Sequence, residues 1–250
     1  FMKKIIYDLG ANEGKSIGYY LLKADLVIAV EANSELCSFI KKKYNNEILN
    51  NRLIVENSIV TNKASSFESF YISKIRSYFS TYVSEEKRKK QYWNGKLVDK
   101  NDWEEKLVKS INIIELFQKY GKPHYVKIDL EHFDQIILNE ILNNDQFKPK
   151  FISSECQDIE VYNLFIKSKD YTFFKYVLGA SVIQDYNDLK FIDLKNEEQN
   201  FSFTEHSSGP YGDDVNGEWL NRTDFHKEFL GLMSKKLAPG WIDIHSKLLD

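Results

Sequence analysis

The chain has 250 residues, 42% hydrophobic and 28% charged, with a formal net charge of -3. That is enough chain for one large domain with a substantial core, and it suggests neither disorder nor a membrane protein, since the composition is near globular norms and no apolar run approaches the roughly 18 residues that span a bilayer as a helix. A nucleic-acid reader is also disfavoured: the balance is not basic, and the arginines are limited to Arg52, Arg76, Arg88 and Arg222.

Residues 4–8 predict a first strand, and because Asp8 interrupts the apolar run this opening does not read as a signal peptide. A helix is expected over 14–23, with Ile17, Tyr20 and Leu21 on one face. "LVIAVE" at 26–31 predicts the second strand, and Ser34 then caps a helix carrying Leu36, Phe39 and Ile40. "RLIVENS" at 52–58 predicts the third. The alternation breaks over residues 61–110, where "SFESFYIS" alternates like an edge strand and a charge-dense stretch carries Trp93 and Trp103. This segment reads as an insertion over the sheet edge or near the substrate.

The pattern resumes with "PHYVKIDLE" at 123–131, a helix with Phe133, Ile136, Ile137 and Ile141 on one face, and "PKFISSE" at 149–155. "YTFFKYVL" and "LKFIDL" predict two further strands around a turn at Gly179. A tract rich in turn formers, "TEHSSGPYGDDVNGEWL", precedes an amphipathic helix near 224–235. Strands and helices alternating in this way predict an α/β fold, a mostly parallel sheet with crossover helices on both faces. Cys37 and Cys156 lack metal-ligand spacing and fit buried thiols in a reducing, cytoplasmic setting.

The chemistry concentrates at "IIYDLGANEG". Glycines after a strand let backbone approach a ligand, and the helix that follows offers free amides. A dinucleotide fingerprint requires GxGxxG, but Asn12 and Lys15 stand where its second and third glycines belong. A Walker loop ends in Gly-Lys-Ser, which "EGKS" supplies, but its first glycine would fall at Leu9. Glu31, ending the second strand, is placed to meet ribose hydroxyls as acids do in dinucleotide folds. A ribose without a pyrophosphate, carrying an amino-acid end, describes S-adenosylmethionine. Asp8 and Glu13 add negative charge that suits a sulfonium and an ammonium. An NAD-dependent oxidoreductase is disfavoured by the same missing glycines.

Taken in order, "DLGANEG", Glu31 in "VEAN", "VKIDLEHFD", "FISSE" and "SSGPYGDDVNGEWL" resemble the FkbM family of S-adenosylmethionine-dependent methyltransferases. The resemblance covers most of the chain outside the insertion. One departure is Glu131-His132, where the family more often has Glu-Gly. The resemblance implies a Rossmann-like methyltransferase fold with a mostly parallel seven-stranded sheet. It implies one domain over 2–250, with 61–110 inserted after the third strand and 200–250 as a C-terminal extension on the substrate side.

It also implies methyl transfer to an oxygen, such as a sugar hydroxyl on a nucleotide-linked or polysaccharide sugar (a heptose, for example) in bacterial capsule or surface-polysaccharide biosynthesis. A phosphoramidate acceptor and a non-catalytic nucleoside-binding module are the alternatives. The donor is expected to be held by Asp8, Gly10, Ala11, Asn12, Glu13, Gly14, Glu31, Ser58 and Asp129. Asp129 and Glu155 end neighbouring strands and are expected to deprotonate or orient the acceptor. His206 is the candidate base because histidine titrates near neutral pH. His132, Tyr211, Asp213 and Asp214 are candidate acceptor ligands, and Trp219 and Trp241 are expected to pack. A divalent cation between Asp129 and Glu155 is conceivable but not expected.

Overall fold

The computed structural model describes residues 3–75, 80–82, 92–93, 96–97, 100–234 and 241–249. Much of the charge-dense stretch of the insertion, and the side chain of Trp93, lie outside them. The first half of the chain runs β1 (Ile5–Leu9), α1 (Ile17–Lys23), β2 (Leu26–Glu31), α2 (Ser34–Lys43), α3 (Asn45–Leu49) and β3 (Leu53–Asn57). The insertion follows with β4 (Ile59–Thr61), β5 (Phe67–Ser73), the short pair β6 (Tyr92–Trp93) and β7 (Lys96–Leu97), and β8 (Trp103–Asn112). Next come α4 (Ile113–Tyr120), β9 (Tyr125–Ile128), α5 (Asp134–Leu142), β10 (Phe151–Glu155), α6 (Ile159–Lys167) and β11 (Tyr171–Leu178). The chain closes with α7 (Val182–Asp185), β12 (Leu189–Ile192), β13 (Glu198–Phe201), β14 (Leu220–Asn221), α8 (Arg222–Ser234) and β15 (Ile242–Leu248).

The main sheet has the order β14-β11-β15-β10-β9-β1-β2-β3. β3, β2, β1, β9 and β10 pair parallel, whereas β15 runs antiparallel between β10 and β11. Six of the seven expected strands are in it, and β15 with the two-residue edge β14 brings the sheet to eight. β15 was not foreseen: its first residue follows directly on Trp241, in a tract read only for packing. "LKFIDL" forms a separate hairpin of β12 with β13 rather than a sheet strand, because a chain leaving β11 meets β15 and not an open edge.

Alternate strand residues feed two cores, as period-2 side chains must. Tyr7, Ile28, Val126 and Ile152 pack under α4, α5, α6 and α8, while Ile6, Val27, Ala29 and Tyr125 pack against α1, Phe191, Phe203 and Tyr211. Two helix faces differ from expectation. Phe39 is 51% and Ile136 is 36% exposed, and Cys37 and Leu138 take the buried positions. Asn33, not Ser34, caps α2, its side chain accepting the Glu35 N–H.

Within the insertion, β8 pairs parallel with β4 and antiparallel with β5, a three-stranded sheet standing beyond β2. Its Phe70 packs with Ala32 and Ile59. Trp103, read within a charge-dense stretch, begins the ten-residue strand β8. Among the described residues no helix is long and apolar enough to cross a membrane.

Candidate functional site

A cavity of about 970 Å³ opens at the carboxyl ends of β1, β2, β9 and β10. The strand order reverses between β1 and β9, and ligands of open α/β sheets collect outside the strands' carboxyl ends at such a switch point. Of the expected donor ligands, Asp8, Gly10, Ala11, Asn12, Glu13, Glu31, Ser58 and Asp129 line it; Glu155 and His206 do too.

The glycine turn works differently from its sequence reading. Gly10 and Ala11 both donate to the Val30 carbonyl at 2.9 and 3.0 Å, and Gly14 donates to Ala11 at 2.8 Å. Asn12 donates to Glu31 Oε2 at 2.8 Å. These four amides are engaged within the protein, so a diphosphate would find them taken. What the turn supplies is close approach. Gly10 has φ +80°, and a Cβ there would lie 1.8 Å from the Asp129 carbonyl oxygen. Gly14 does not line the cavity; its carbonyl accepts the Tyr44 hydroxyl at 3.0 Å.

Glu31 is buried, and burial raises its pKa against the pull of the Asn33 and Asn12 amides that it accepts. Beside it Ala32, Ile59 and Phe70 form an apolar wall. Asp8 is 2% exposed and its Oδ1 has no hydrogen-bond partner, with Lys127 Nζ 3.5 Å away. An orphaned buried carboxylate oxygen at a cavity wall suits a ligand that brings a donor or a positive charge.

At the other side of the cavity Asp129, Glu131 and Glu155 bring carboxylate oxygens within 4.8 Å of one another. Burial, with the charge of Asp129 added, pushes the Glu131 and Glu155 carboxyls well above the usual range. Gln157 Nε2 donates to one oxygen of each at 2.9 Å. Three carboxylates are a donor set that suits a hard divalent cation, but here Gln157 and Lys127 already occupy one oxygen on every member. With these protein partners the three are acids close enough to share a proton.

Glu131 reaches this cluster through a strained turn. Glu131 and His132 both have positive φ, 48° and 73°, at the place where the resembled family more often has glycine second. The turn is pinned by the insertion, whose Thr81 hydroxyl donates to the Glu131 carbonyl at 2.6 Å. Strain of this kind, of order 1–3 kcal/mol per residue, clusters at functional sites.

Other expected acceptor ligands lie elsewhere. His132 is not among the lining residues. Tyr211 is buried and stacks on Tyr125 at 4.1 Å, against the amino-terminal end of β9. Asp214 accepts the Tyr19 hydroxyl at 2.5 Å and pairs with Lys23 at 2.8 Å. Asp213 accepts Trp219 Nε1 at 2.7 Å. These three belong to the α1 face of the sheet, because after Ser208 the chain leaves the cavity rim and runs beneath the strands. Glu205, His206 and Ser208 are the part of this tract that stays on the rim, with His206 stacked on Trp241 at 5.9 Å.

Sequence reasoning missed Lys127, Gln157, Phe70, Tyr82 and Cys156, all of which line the cavity. Only Lys127 left a signal, a lysine inside the apolar run of a central strand.

The sheet order, with β15 antiparallel between β10 and β11, and a cavity over the switch point define a Rossmann-like α/β fold. No family model and no curated protein matches the chain. Among solved structures it is similar to a methyltransferase FkbM from Methylobacillus flagellatus, with 14% identity over 68% of this chain and 39% of that one and a TM-score of 0.42. The chain thus spans about two fifths of that structure's length. It is similar also to a precorrin-6y C5,15-methyltransferase from Geobacter metallireducens, with 8% identity over 99% of this chain and 81% of that one and a TM-score of 0.43. A third is a putative RNA methyltransferase from Pyrococcus horikoshii, with 12% identity over 99% and 75% and a TM-score of 0.38.

Proposed function

We propose that the protein is an S-adenosylmethionine-dependent O-methyltransferase whose acceptor is a sugar hydroxyl, in the biosynthesis of a bacterial capsule or surface polysaccharide. The observation that carries the donor reading is Glu31, a buried acid at the end of β2 lying between the Gly10 turn and the apolar wall of Ala32, Ile59 and Phe70. Its carboxylate suits ribose hydroxyls, the wall suits a purine, and Asp8 with its unpartnered oxygen suits the cationic end. S-adenosylmethionine, when bound, supplies a methyl group on a sulfonium leaving group.

The chain's own task is then to align the acceptor and to take its proton, since in-line displacement is governed by positioning. The Asp129, Glu131 and Glu155 cluster supports that role. One carboxylate accepts the hydroxyl proton as the new C–O bond forms, and the others hydrogen-bond neighbouring hydroxyls. His206, on the rim, is the second proton acceptor in reach of the cavity. The sugar and the polysaccharide setting rest on the resemblance of the sequence motifs.

Calorimetry with S-adenosylmethionine and with NAD tests the donor. Binding of the first alone is expected, and binding of neither would leave a module without this chemistry. A panel of nucleotide-linked sugars, assayed for S-adenosylhomocysteine release, tests the acceptor. Turnover of a phosphoramidate and of no sugar would replace the sugar reading.

A further inference from the structure

Lys127 is a lysine in the middle of a central parallel strand, where side chains are ordinarily apolar. It stands in register with Asp8 of β1 and Ser153 of β10. Its side chain is 7% exposed, and an ammonium taken that far from water costs several kcal/mol unless acceptors surround it. They do: Nζ lies 3.0 Å from Asp129 Oδ2, 3.5 Å from Asp8 Oδ1 and 3.1 Å from the Gly10 carbonyl. The Gly10 carbonyl and Asp129 are within hydrogen-bond distance, and Asp8 Oδ1, which makes no hydrogen bond, has the ammonium only as a nearby counter-charge.

The choice of acceptors is informative. A lysine kept only for stability would pair with any convenient carboxylate, and well-packed apolar groups can replace such a pair at little cost. Here all three partners line the cavity. Gly10 belongs to the turn that meets the donor, Asp8 is the orphaned acid beneath it, and Asp129 belongs to the acceptor cluster. Gly10 and Asp129 are already in backbone contact so close that no Cβ fits between them. The ammonium sits where the two halves of the site meet and holds a charge against each.

We propose that Lys127 is a positioning residue that sets the donor-binding turn in register with Asp129, so that donor binding and the acceptor acid are coupled through its ammonium group. This rests on the methyl-donor reading above. Loss of the ammonium frees the Gly10 carbonyl and leaves Asp8 and Asp129 facing one another across the turn without a counter-charge. The donor site then loses its geometry even where the fold survives.

The test is a double-mutant cycle on the full chain, using Lys127→Met, Asp129→Asn and the double variant, with S-adenosylhomocysteine as the titrated ligand and Tm recorded for each. Lys127→Met is expected to weaken binding by about 30-fold or more. The double variant is expected to be no more than about 3-fold worse than the weaker single, because residues that act as one unit are not additive. A purely structural lysine would lower Tm and leave the dissociation constant of the folded fraction in place. Affinity within about 3-fold of wild type in Lys127→Met, or losses that multiply in the double variant, overturn the proposal. If Lys127→Met does not fold, Lys127→Gln, which keeps N–H donors but no charge, carries the same expectations. Wild-type protein that does not bind S-adenosylhomocysteine removes the methyl-donor reading and this proposal together, whereas tight wild-type binding with an indifferent Lys127 removes the proposal alone.

Discussion

Glu31 accepts the backbone N–H of Asn12 on one carboxylate oxygen and that of Asn33 on the other, each at 2.8 Å. The acid that ends β2 therefore ties down the turn that follows β1, across 19 residues of sequence. Its clamp and the ribose-binding role proposed for it are separable. Glu31→Ala is expected to weaken S-adenosylhomocysteine binding by an amount on the order of 1.5–3 kcal/mol, the worth of charged hydrogen bonds. Glu31→Gln, whose amide nitrogen cannot accept from a backbone N–H, should lose the clamp on one side only and fall between. Unchanged calorimetric affinity in both variants would show that the nucleoside binds elsewhere.

The acid cluster is expected to carry proton removal. Asp129→Asn should lower turnover by roughly 10²–10⁴-fold, the usual range for a lost general base, and His206→Ala should lower it less. Both are read as S-adenosylhomocysteine release with whichever sugar the panel identifies. If His206→Ala is the more damaging, the rim histidine is the base and the cluster only orients.

At Gly10, an added methyl group has no space, because it would lie 1.8 Å from the Asp129 carbonyl oxygen, and φ is +80°. Gly10→Ala is expected to lose donor binding and to lower Tm, as the turn and the β9 end must move apart. Crystals of Gly10→Ala with the turn unmoved would contradict the geometry.

Asp134 opens α5 in a buried position, its Oδ1 accepting the Leu130 N–H and its Oδ2 without a partner. Burial raises its pKa from 3.8 to about 7, with the charge of Asp129 adding to it. A folded state that holds a proton more tightly than the unfolded chain loses stability as pH rises from the ordinary carboxyl range toward 7. Asp134→Asn removes that dependence and keeps an acceptor for Leu130. Relative to wild type it should gain stability between pH 4 and 8, by up to roughly 4 kcal/mol at 1.36 kcal/mol per unit. Urea unfolding at the two pH values checks it; parallel profiles would place the proton on another group.

Chelation is expected to leave turnover unchanged. Lys127 faces one oxygen of Asp129, and Gln157 donates to one oxygen each of Glu131 and Glu155, so the three acids already have partners within the protein with which a cation would compete. Activity lost to a chelator and restored by magnesium or manganese would place a cation among the three acids.

Much of the fold was legible because it is written in local periodicity. The strands β1, β2, β3, β9, β10 and β11 and the helices α1, α2, α5 and α8 stand where the apolar runs and turn formers place them, and the Gly10 turn and Glu31 meet at one crevice because consecutive parallel strands end on the same side. β15 was not legible. Its antiparallel place between β10 and β11 depends on which sheet edge remains open after the crossovers are made, and no window of sequence contains that information.

The same division runs through the site. By itself the sequence determined residue types and strand ends, and hence that acids and glycines gather beyond the sheet's carboxyl edge. Only the tertiary structure decided that the turn's amides are spent on Val30 and Glu31, that Lys127 faces Asp8, Asp129 and Gly10 at once, and that Tyr211, Asp213 and Asp214 serve the opposite face. Each of these is a contact between segments far apart in the chain. Hydrogen-bond satisfaction of buried groups, settled when the whole fold closes, is what distributes them.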